Sequence, residues 1–238
     1  MLRARVIGAL EVELNGTVID SPVSQRPWAM FAYVALAPRP VPRADLASRF
    51  WPDVLDQSAR ASLRSALWVL RRQLGDALAV EGERVGLRAE PGLWVDVREF
   101  ETLAGGHRAA AALALCRGDL LEGLDDDWAV SARDRHRERV IELLENLALD
   151  AERRGSSREA IELTRRQVEQ DRFDEEVHRR LIARLDRAGD RAGAMRTYRT
   201  LAERLRRELS VAPSAQTREL VERLRAATPA QPVAVVLA

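Results

Sequence analysis

Residues 60–74, RASLRSALWVLRRQL, concentrate positive charge on one predicted helix. The stretch holds four arginines and no acidic residue, whereas arginine-rich stretches elsewhere, such as RDRHRERVIELLE, alternate arginine with glutamate or aspartate. Like charges repel one another on a helix surface, so an unpaired cluster indicates that a counter-anion binds there. Guanidinium groups bind phosphate oxygens through paired hydrogen bonds, which makes a polyanion the partner to consider first.

The helical wheel divides this stretch into two faces. Its leucines recur at helical spacing and predict a stripe that faces a core, namely Leu63, Leu67, Leu70 and Leu74. The other residues predict a cationic surface with small side chains between the arginines, namely Arg60, Ala61, Arg64, Ser65, Trp68, Arg71 and Arg72. A DNA duplex could approach such a surface closely. The alternative interpretation is an ordinary solvated helix face.

Trp68 is the one large apolar residue on the arginine side of this helix. We expect it to lie over the base of a following hairpin and to shield apolar surface there. The alternative is that it contacts a deoxyribose or a thymine methyl group in a DNA groove.

The elements around this helix are predicted from periodicity. Alternation and the Asn15-Gly16 turn signal predict two or three antiparallel strands up to about Val23. Helices are predicted over 27–37 and 42–51, each with a proline suited to a first turn. The loop WPDVLDQS follows, with Asp56 and Ser58 as expected helix caps, and Gly75 ends the arginine-rich helix.

Residues 77–97 return to a period of two and predict three short β segments punctuated by glycines. Arg84 and Arg88 lie on this predicted hairpin, where a wing reaches the DNA backbone or minor groove. Strands, three helices and a hairpin predict an α+β winged helix of the response-regulator type over 1–97, with the arginine-rich helix in the recognition position.

Beyond Arg98 the pattern is helical throughout. The segment 152–163 aligns with 186–197 at an offset of 34, which pairs Gly155 with Gly189 and Ala160 with Ala194. A 34-residue helix–turn–helix period is typical of tetratricopeptide repeats. We therefore predict an all-α, tetratricopeptide-like domain over 98–227 and a flexible tail over 228–238.

Composition excludes several kinds of chemistry. The chain has no lysine, so a Walker phosphate loop and Schiff-base catalysis are excluded in their usual forms. Its single cysteine, Cys116, excludes an internal disulfide and a thiolate zinc cluster, and we expect it in the core of an apolar helix. The N-terminus lacks a signal-peptide run and the apolar tail is too short to span a bilayer, so we expect a cytoplasmic protein without membrane contact.

No other constellation predicts a site. His107, His136 and His178 lie far apart without metal-ligand spacing, and we expect each to be solvated or hydrogen-bonded. The carboxylates of residues 125–127 are explained by the start of a helix near Trp128. The serines lack the glycine elbow of a hydrolase. We therefore expect no enzyme, no metal and no cofactor.

With these elements in order, the chain resembles a known family over about residues 3–225. The segments RVIGALEVELNG, LASRFWPD, ARASLRSALWVLRRQLGD and GLWVDVREFETL look like the winged helix of the Streptomyces antibiotic regulatory proteins. The segments GDLLEGLDDDWA, RGSSREAIEL and AGDRAGAMRTYRTLAERLRRELSVAPS resemble the bacterial transcriptional activator domain that accompanies it.

The resemblance implies a cytoplasmic transcription activator, often of secondary-metabolite gene clusters, that binds promoter direct repeats and recruits RNA polymerase. By position, Arg60, Arg64, Arg71 and Arg72 would contact DNA in the major groove. The loop that contains Trp51, Asp53 and Asp56 would lie near the polymerase. Direct repeats also imply self-association on DNA.

Two other functions stay open at this point. A tetratricopeptide-like chain could serve as a protein-interaction scaffold, with the N-terminal domain as a docking module. A DNA-binding repressor is the other, because the sign of regulation depends on where the site lies relative to a promoter.

Overall fold

The computed structural model describes residues 1–19, 25–90, 92–106 and 108–226. The chain divides into two compact units, Met1–Glu138 and Arg139–Ala238. The domain boundaries expected at residues 97 and 227 stay predictions. The expected tail, 228–238, lies outside the described residues.

The first unit begins with a small antiparallel sheet, as the alternation predicts. Strands β1 (Leu2–Arg5), β2 (Glu11–Leu14) and β3 (Thr17–Val18) pair in sequence, and Leu2 faces Leu14 across the first pair. Asn15 and Gly16 both have positive φ, +52° and +86°, which is the backbone of a tight two-residue hairpin. The hairpin predicted from these two residues is confirmed, whereas Val23 lies outside the described residues.

Three helices follow this sheet. They are α1 (Gln25–Leu36), α2 (Arg43–Phe50) and α3 (Asp56–Leu74), with the two-residue strand β4 (Val41–Pro42) before α2. Their shared core contains Phe31, Leu46, Leu63 and Leu70, each almost completely buried. Burial of these apolar side chains is the main force that fixes α3 against the other two helices.

The two ends of α3 differ from one another in how well the sequence predicts them. Gly75 ends the helix with φ +55°, as predicted. The predicted caps are wrong, because Leu55 holds the N-cap position and no side chain caps the helix. Asp56 and Ser58 lie inside the first turn, where the Asp56 carboxylate complements the positive end of the helix dipole.

A second sheet lies after α3. Strands β5 (Leu78–Glu81) and β6 (Arg84–Leu87) form a hairpin, and β4 pairs with β6, giving the order β4-β6-β5. The third predicted segment, β7 (Leu93–Val95), instead pairs in parallel with β1 in the first sheet. A period of two predicts strand character but not the partner strand.

Asp96 fixes this long-range pairing. Both of its carboxylate oxygens accept hydrogen bonds from the Val6 amide, at 2.9 and 3.0 Å, and one also accepts from Ile7. Burial raises the pKa of this carboxyl, while the backbone hydrogen bonds act in the opposite direction. The side chain thereby ties the start of the next helix to the N-terminal sheet.

Helices α4 (Asp96–Gly105) and α5 (Ala109–Leu113) follow, before α6 (Asp127–Arg153). Arg98 donates to the carbonyls of Ala35 and Ala37, at 2.8 and 2.7 Å, and so satisfies the C-terminal end of α1. Because α5 ends at Leu113, the expectation that Cys116 lies within an apolar helix is wrong, and its side chain is half-buried.

The second unit is helical in the part that the structure describes. Besides the end of α6 it contains α7 (Ser157–Gln170), α8 (Glu175–Arg187), α9 (Arg191–Arg204), a π-helical turn (Leu205–Leu209) and α10 (Ala215–Ala226). A core cluster includes Ile161, Leu181, Ile182 and Leu185.

The 34-residue offset read from the sequence recurs in the backbone of this unit. Gly155 and Gly189 both have positive φ, +76° and +83°. The amide after each glycine bonds back into the preceding helix, Ser156 to the Ala151 carbonyl at 2.8 Å and Asp190 to the Leu185 carbonyl at 2.9 Å. Ala160 and Ala194, which the offset also pairs, are both buried. The two helix–turn–helix segments therefore share one turn geometry.

Candidate nucleic-acid interface

Helix α3 presents two faces that match the helical wheel. The four leucines of its stripe are buried, while the four arginines, Ala61 and Ser65 are exposed. The Ser65 hydroxyl donates to the Ala61 carbonyl one turn earlier, at 3.3 Å. The exposed face is therefore arginine-rich and otherwise built mainly from small side chains.

The arginines on this face have no acidic partner. In the part of the chain that the structure describes, no salt bridge involves any of the four arginines on this face, Arg60, Arg64, Arg71 and Arg72. Many arginines of the second unit, such as Arg139 and Arg165, do pair with a glutamate on the same helix. The uncompensated charge of α3 is available to an anionic ligand.

A cleft of about 370 Å³ opens beside α3 and adds a further arginine to the cluster. It is lined by Arg43, Ala44, Arg60, Leu63, Arg64 and Glu83. Arg43 begins α2, and its amide donates to the Glu83 carbonyl at 2.8 Å, next to the turn of the β5–β6 hairpin. The cleft therefore combines three guanidinium groups with one carboxylate.

Sequence reasoning missed Arg43 and Glu83. They are distant from the arginine stretch along the chain, and the pairing of β4 with β6 brings them to it. The strand before Arg43 is only two residues long, Val41–Pro42, so its sequence does not indicate which strand it pairs with.

The hairpin arginines are exposed but engaged. Arg84 donates from Nη1 to the Pro40 carbonyl at 3.0 Å. Arg88 lies 3.9 Å from a Glu81 carboxylate oxygen, which is at the long end of an ion pair. The structure therefore places both arginines on the exposed hairpin, and Arg88 is partly neutralised by its neighbour.

Trp68 does not pack as expected. Its side chain is 62% exposed, and the guanidinium carbon (Cζ) of Arg72 lies 5.5 Å from the ring centroid. A ring exposed to this extent covers little apolar surface, so the expectation that it lies over the base of the hairpin and shields apolar surface there is wrong.

The loop between α2 and α3 has a buried and an exposed part. Trp51 is half-buried, tilts against Phe50 with centroids 6.3 Å apart, and lies under the Arg26 guanidinium. Asp53 and Asp56 are exposed. Between them lie two exposed apolar side chains that the sequence did not single out, Val54 and the 82% exposed Leu55.

The histidines give a mixed result. The Nδ1 atom of His178 lies 2.8 Å from the Asp174 carbonyl oxygen, as a hydrogen-bonded histidine requires. His136 is buried against Phe100, its Nδ1 has no hydrogen-bond partner, and burial lowers its pKa to about 4. Its Nε2 atom lies 4.0 Å from the Cys116 Sγ atom, within hydrogen-bond distance for sulfur, so the expectation of a hydrogen-bonded ring holds at Nε2 but not at Nδ1. His107 lies outside the described residues.

The described residues show no metal-ligand cluster and no membrane-spanning helix. No three histidine, cysteine, aspartate or glutamate side chains in that part of the chain are grouped as metal ligands would be. None of its helices combines the length and the apolar character needed to cross a membrane.

A search of curated proteins by sequence found no match. Among solved structures, the fold is similar to that of Mycobacterium tuberculosis EmbR, determined in complex with a low-affinity phosphopeptide. The TM-score is 0.70 at 22% identity, over 97% of this chain and 66% of the EmbR chain. This chain thus spans about two thirds of the length of EmbR.

The family model of the bacterial transcriptional activator domain matches residues 95–225, which is more than half of the chain. The resemblance of the C-terminal segments to this domain is confirmed. The chain therefore belongs to the bacterial transcriptional activator domain family, a family of transcriptional regulators.

Proposed function

We propose that this protein is a sequence-specific DNA-binding transcription activator whose N-terminal part is a winged helix. The observation that carries the proposal is the exposed arginine face of α3, which has no acidic partner in the described structure and precedes the β5–β6 hairpin. The family match supports a role in transcription. Residues 1–97 would bind DNA and 98–227 would form the tetratricopeptide-like activator domain.

In this proposal α3 is the recognition helix and lies in the major groove. Arg60 and Arg64, together with Arg43 across the cleft, neutralise backbone phosphates. Ser65, Trp68, Arg71 and Arg72 lie further along the exposed face, where they would contact base edges or further phosphates. Arg84 and Arg88 of the hairpin contact the adjacent backbone or minor groove as a wing.

Activation requires a second contact besides DNA. We assign it to the α2–α3 loop with Trp51 and Asp53, together with Asp56 at the start of α3, which would touch RNA polymerase while the rest of α3 holds the promoter. Binding to direct repeats would place at least two protomers side by side on DNA. The protein would act in the cytoplasm, on genes that, in the Streptomyces family that its segments resemble, often belong to secondary-metabolite clusters.

Mapping of bound DNA across the source genome tests this proposal. Discrete peaks that share a direct repeat near promoters are expected, and deletion of the gene should lower transcription from those promoters. Peaks with raised transcription after deletion would identify a repressor. A map without peaks, together with a stable protein partner in pull-downs, would favour an interaction scaffold instead.

A further inference from the structure

Trp68 differs from the other tryptophans of this chain in its exposure. Trp28 and Trp128 are buried, and Trp51 and Trp94 are half-buried, whereas Trp68 leaves 62% of its side chain exposed. An indole ring is among the most costly side chains to leave in water, and tryptophan is enriched where a partner covers it. The exposure of this ring therefore indicates that a binding partner covers it.

The position of Trp68 narrows the kind of partner. It lies on the face of α3 opposite Leu67 and Leu70, with Arg64 one turn before it and Arg72 one turn after it. The Arg72 guanidinium over the ring adds a cation–π contact, which favours one orientation of the indole. An apolar ring surrounded by unpaired arginines fits a partner that is anionic overall and apolar at one point.

A DNA major groove has that combination. Its walls are phosphates, its base edges are mostly hydrogen-bonding groups, and the C5 methyl group of thymine is its apolar feature. We propose that Trp68 is a specificity-determining residue that contacts a thymine methyl group. This inference rests on the proposed function, because it requires α3 to lie in the major groove.

The test removes that methyl group alone. A duplex selected by this protein from random DNA is prepared with each thymine replaced in turn by deoxyuridine, which keeps every hydrogen-bonding atom of the base. At one or two positions in each half-site, the wild-type Kd should rise about fourfold, the effect of one buried methyl-sized group. Trp68→Ala should bind the thymine duplex about fourfold more weakly and show no further loss with deoxyuridine at those positions.

Trp94 offers a matched control. It also lies under a guanidinium, that of Arg3 at 4.7 Å, but on strand β7 of the N-terminal sheet. Trp94→Ala should keep the full deoxyuridine effect, with circular dichroism to establish that each variant is folded at the binding temperature. If Trp94→Ala does not fold, Trp94→Phe takes its place.

The outcomes separate this inference from the function beneath it. Sequence-specific binding that is insensitive to deoxyuridine at every position would overturn the thymine contact and leave DNA binding intact. If Trp68→Ala binds more weakly than wild type by the same factor on the thymine duplex and on the deoxyuridine duplex, the methyl effect does not pass through Trp68. That result would place the ring against deoxyribose instead. Failure of the wild-type protein to select any duplex would overturn the proposed function and the thymine contact with it.

Discussion

Both carboxylate oxygens of Glu145 accept hydrogen bonds from one guanidinium, that of Arg184, at 2.9 Å from Nη1 and 2.8 Å from Nη2. Arg184 is only 4% exposed and also donates to the Thr164 hydroxyl. Desolvation alone would raise the pKa of Glu145, but the hydrogen bonds from Arg184 and Gln167 hold it below its ordinary value. The pair therefore remains charged inside the helical unit.

Removal of Arg184 should destabilise this unit strongly. Arg184→Ala leaves the Glu145 carboxylate buried without its main partner, which typically costs about 3–5 kcal/mol of unfolding free energy. Arg187 is the matched control, because it also pairs with a shared carboxylate, Glu152 at 2.9 Å, but is 64% exposed. Arg187→Ala should cost about 1 kcal/mol or less. Urea denaturation of both variants measures the difference, and equal losses would contradict a buried ion pair.

Because His136 is buried, we expect the unfolding free energy of the protein to fall in mild acid. Burial lowers its pKa to about 4, whereas in the unfolded chain it titrates near 6.5. Between these values the unfolded chain binds a proton that the folded chain does not, so the unfolding free energy falls as the pH drops from 6.5 to 4. The loss should approach about 3 kcal/mol.

The variant His136→Gln removes this titration. Its unfolding free energy, measured by urea denaturation from pH 7 to pH 4, should fall less steeply than that of the wild type. The carboxylates and His178 titrate in both proteins and cancel in the comparison. Parallel pH curves for the two proteins would show that the folded protein takes up the proton on His136 as easily as the unfolded chain does.

The Glu83 carboxylate should oppose DNA binding in the wild-type protein, so its removal should raise the affinity. Its side chain lines the cleft with Arg43, Arg60 and Arg64, where it competes with a phosphate for the same guanidinium groups. Glu83→Gln should therefore raise affinity for both specific and unrelated DNA by about two- to fivefold, as expected for one charge near a partly exposed site. Glu90→Gln, which changes an exposed carboxylate after strand β6, is the control. If Glu83→Gln binds DNA with the same affinity as wild type, the cleft is not part of the DNA-binding surface.

Leu55 offers a test of the activation step. Its exposed side chain lies in the α2–α3 loop directly before α3, and it is not among the residues that we assign to DNA. If this loop contacts RNA polymerase, Leu55→Ser should reduce transcription from a target promoter in vitro several-fold and leave the Kd for that promoter unchanged. A proportional loss of DNA affinity would instead point to a structural effect on α3.

What the sequence predicts well are features with a local cause. Asn15-Gly16 dictates its own turn, Gly75 ends its own helix, and the leucine spacing of α3 fixes which face is buried. The 34-residue offset likewise predicts the paired turns at Gly155 and Gly189, because each turn needs a residue that adopts positive φ easily. These elements follow from short-range backbone and packing preferences.

What the sequence does not predict depends on long-range pairing. The parallel partner of β7 is set by Asp96 reaching the Val6 amide, and no periodicity encodes that contact. Arg43 and Glu83 come to lie beside α3 only because β4 pairs with β6. For Trp68 the helical wheel predicts the arginine side of α3 correctly, but it carries no information on how much of the ring the following hairpin covers.

The salt dependence of binding to a selected duplex tests the central claim most directly. We predict that log Kd rises linearly with log salt concentration, that Arg64→Ala and Arg71→Ala each weaken binding, and that Arg64→Ala, which removes a phosphate contact, also lowers that slope by about one. Arg158→Ala, an exposed arginine on α7, should leave both quantities unchanged. Wild-type affinity and slope retained in both α3 variants would contradict the assignment of α3 as the DNA-binding helix.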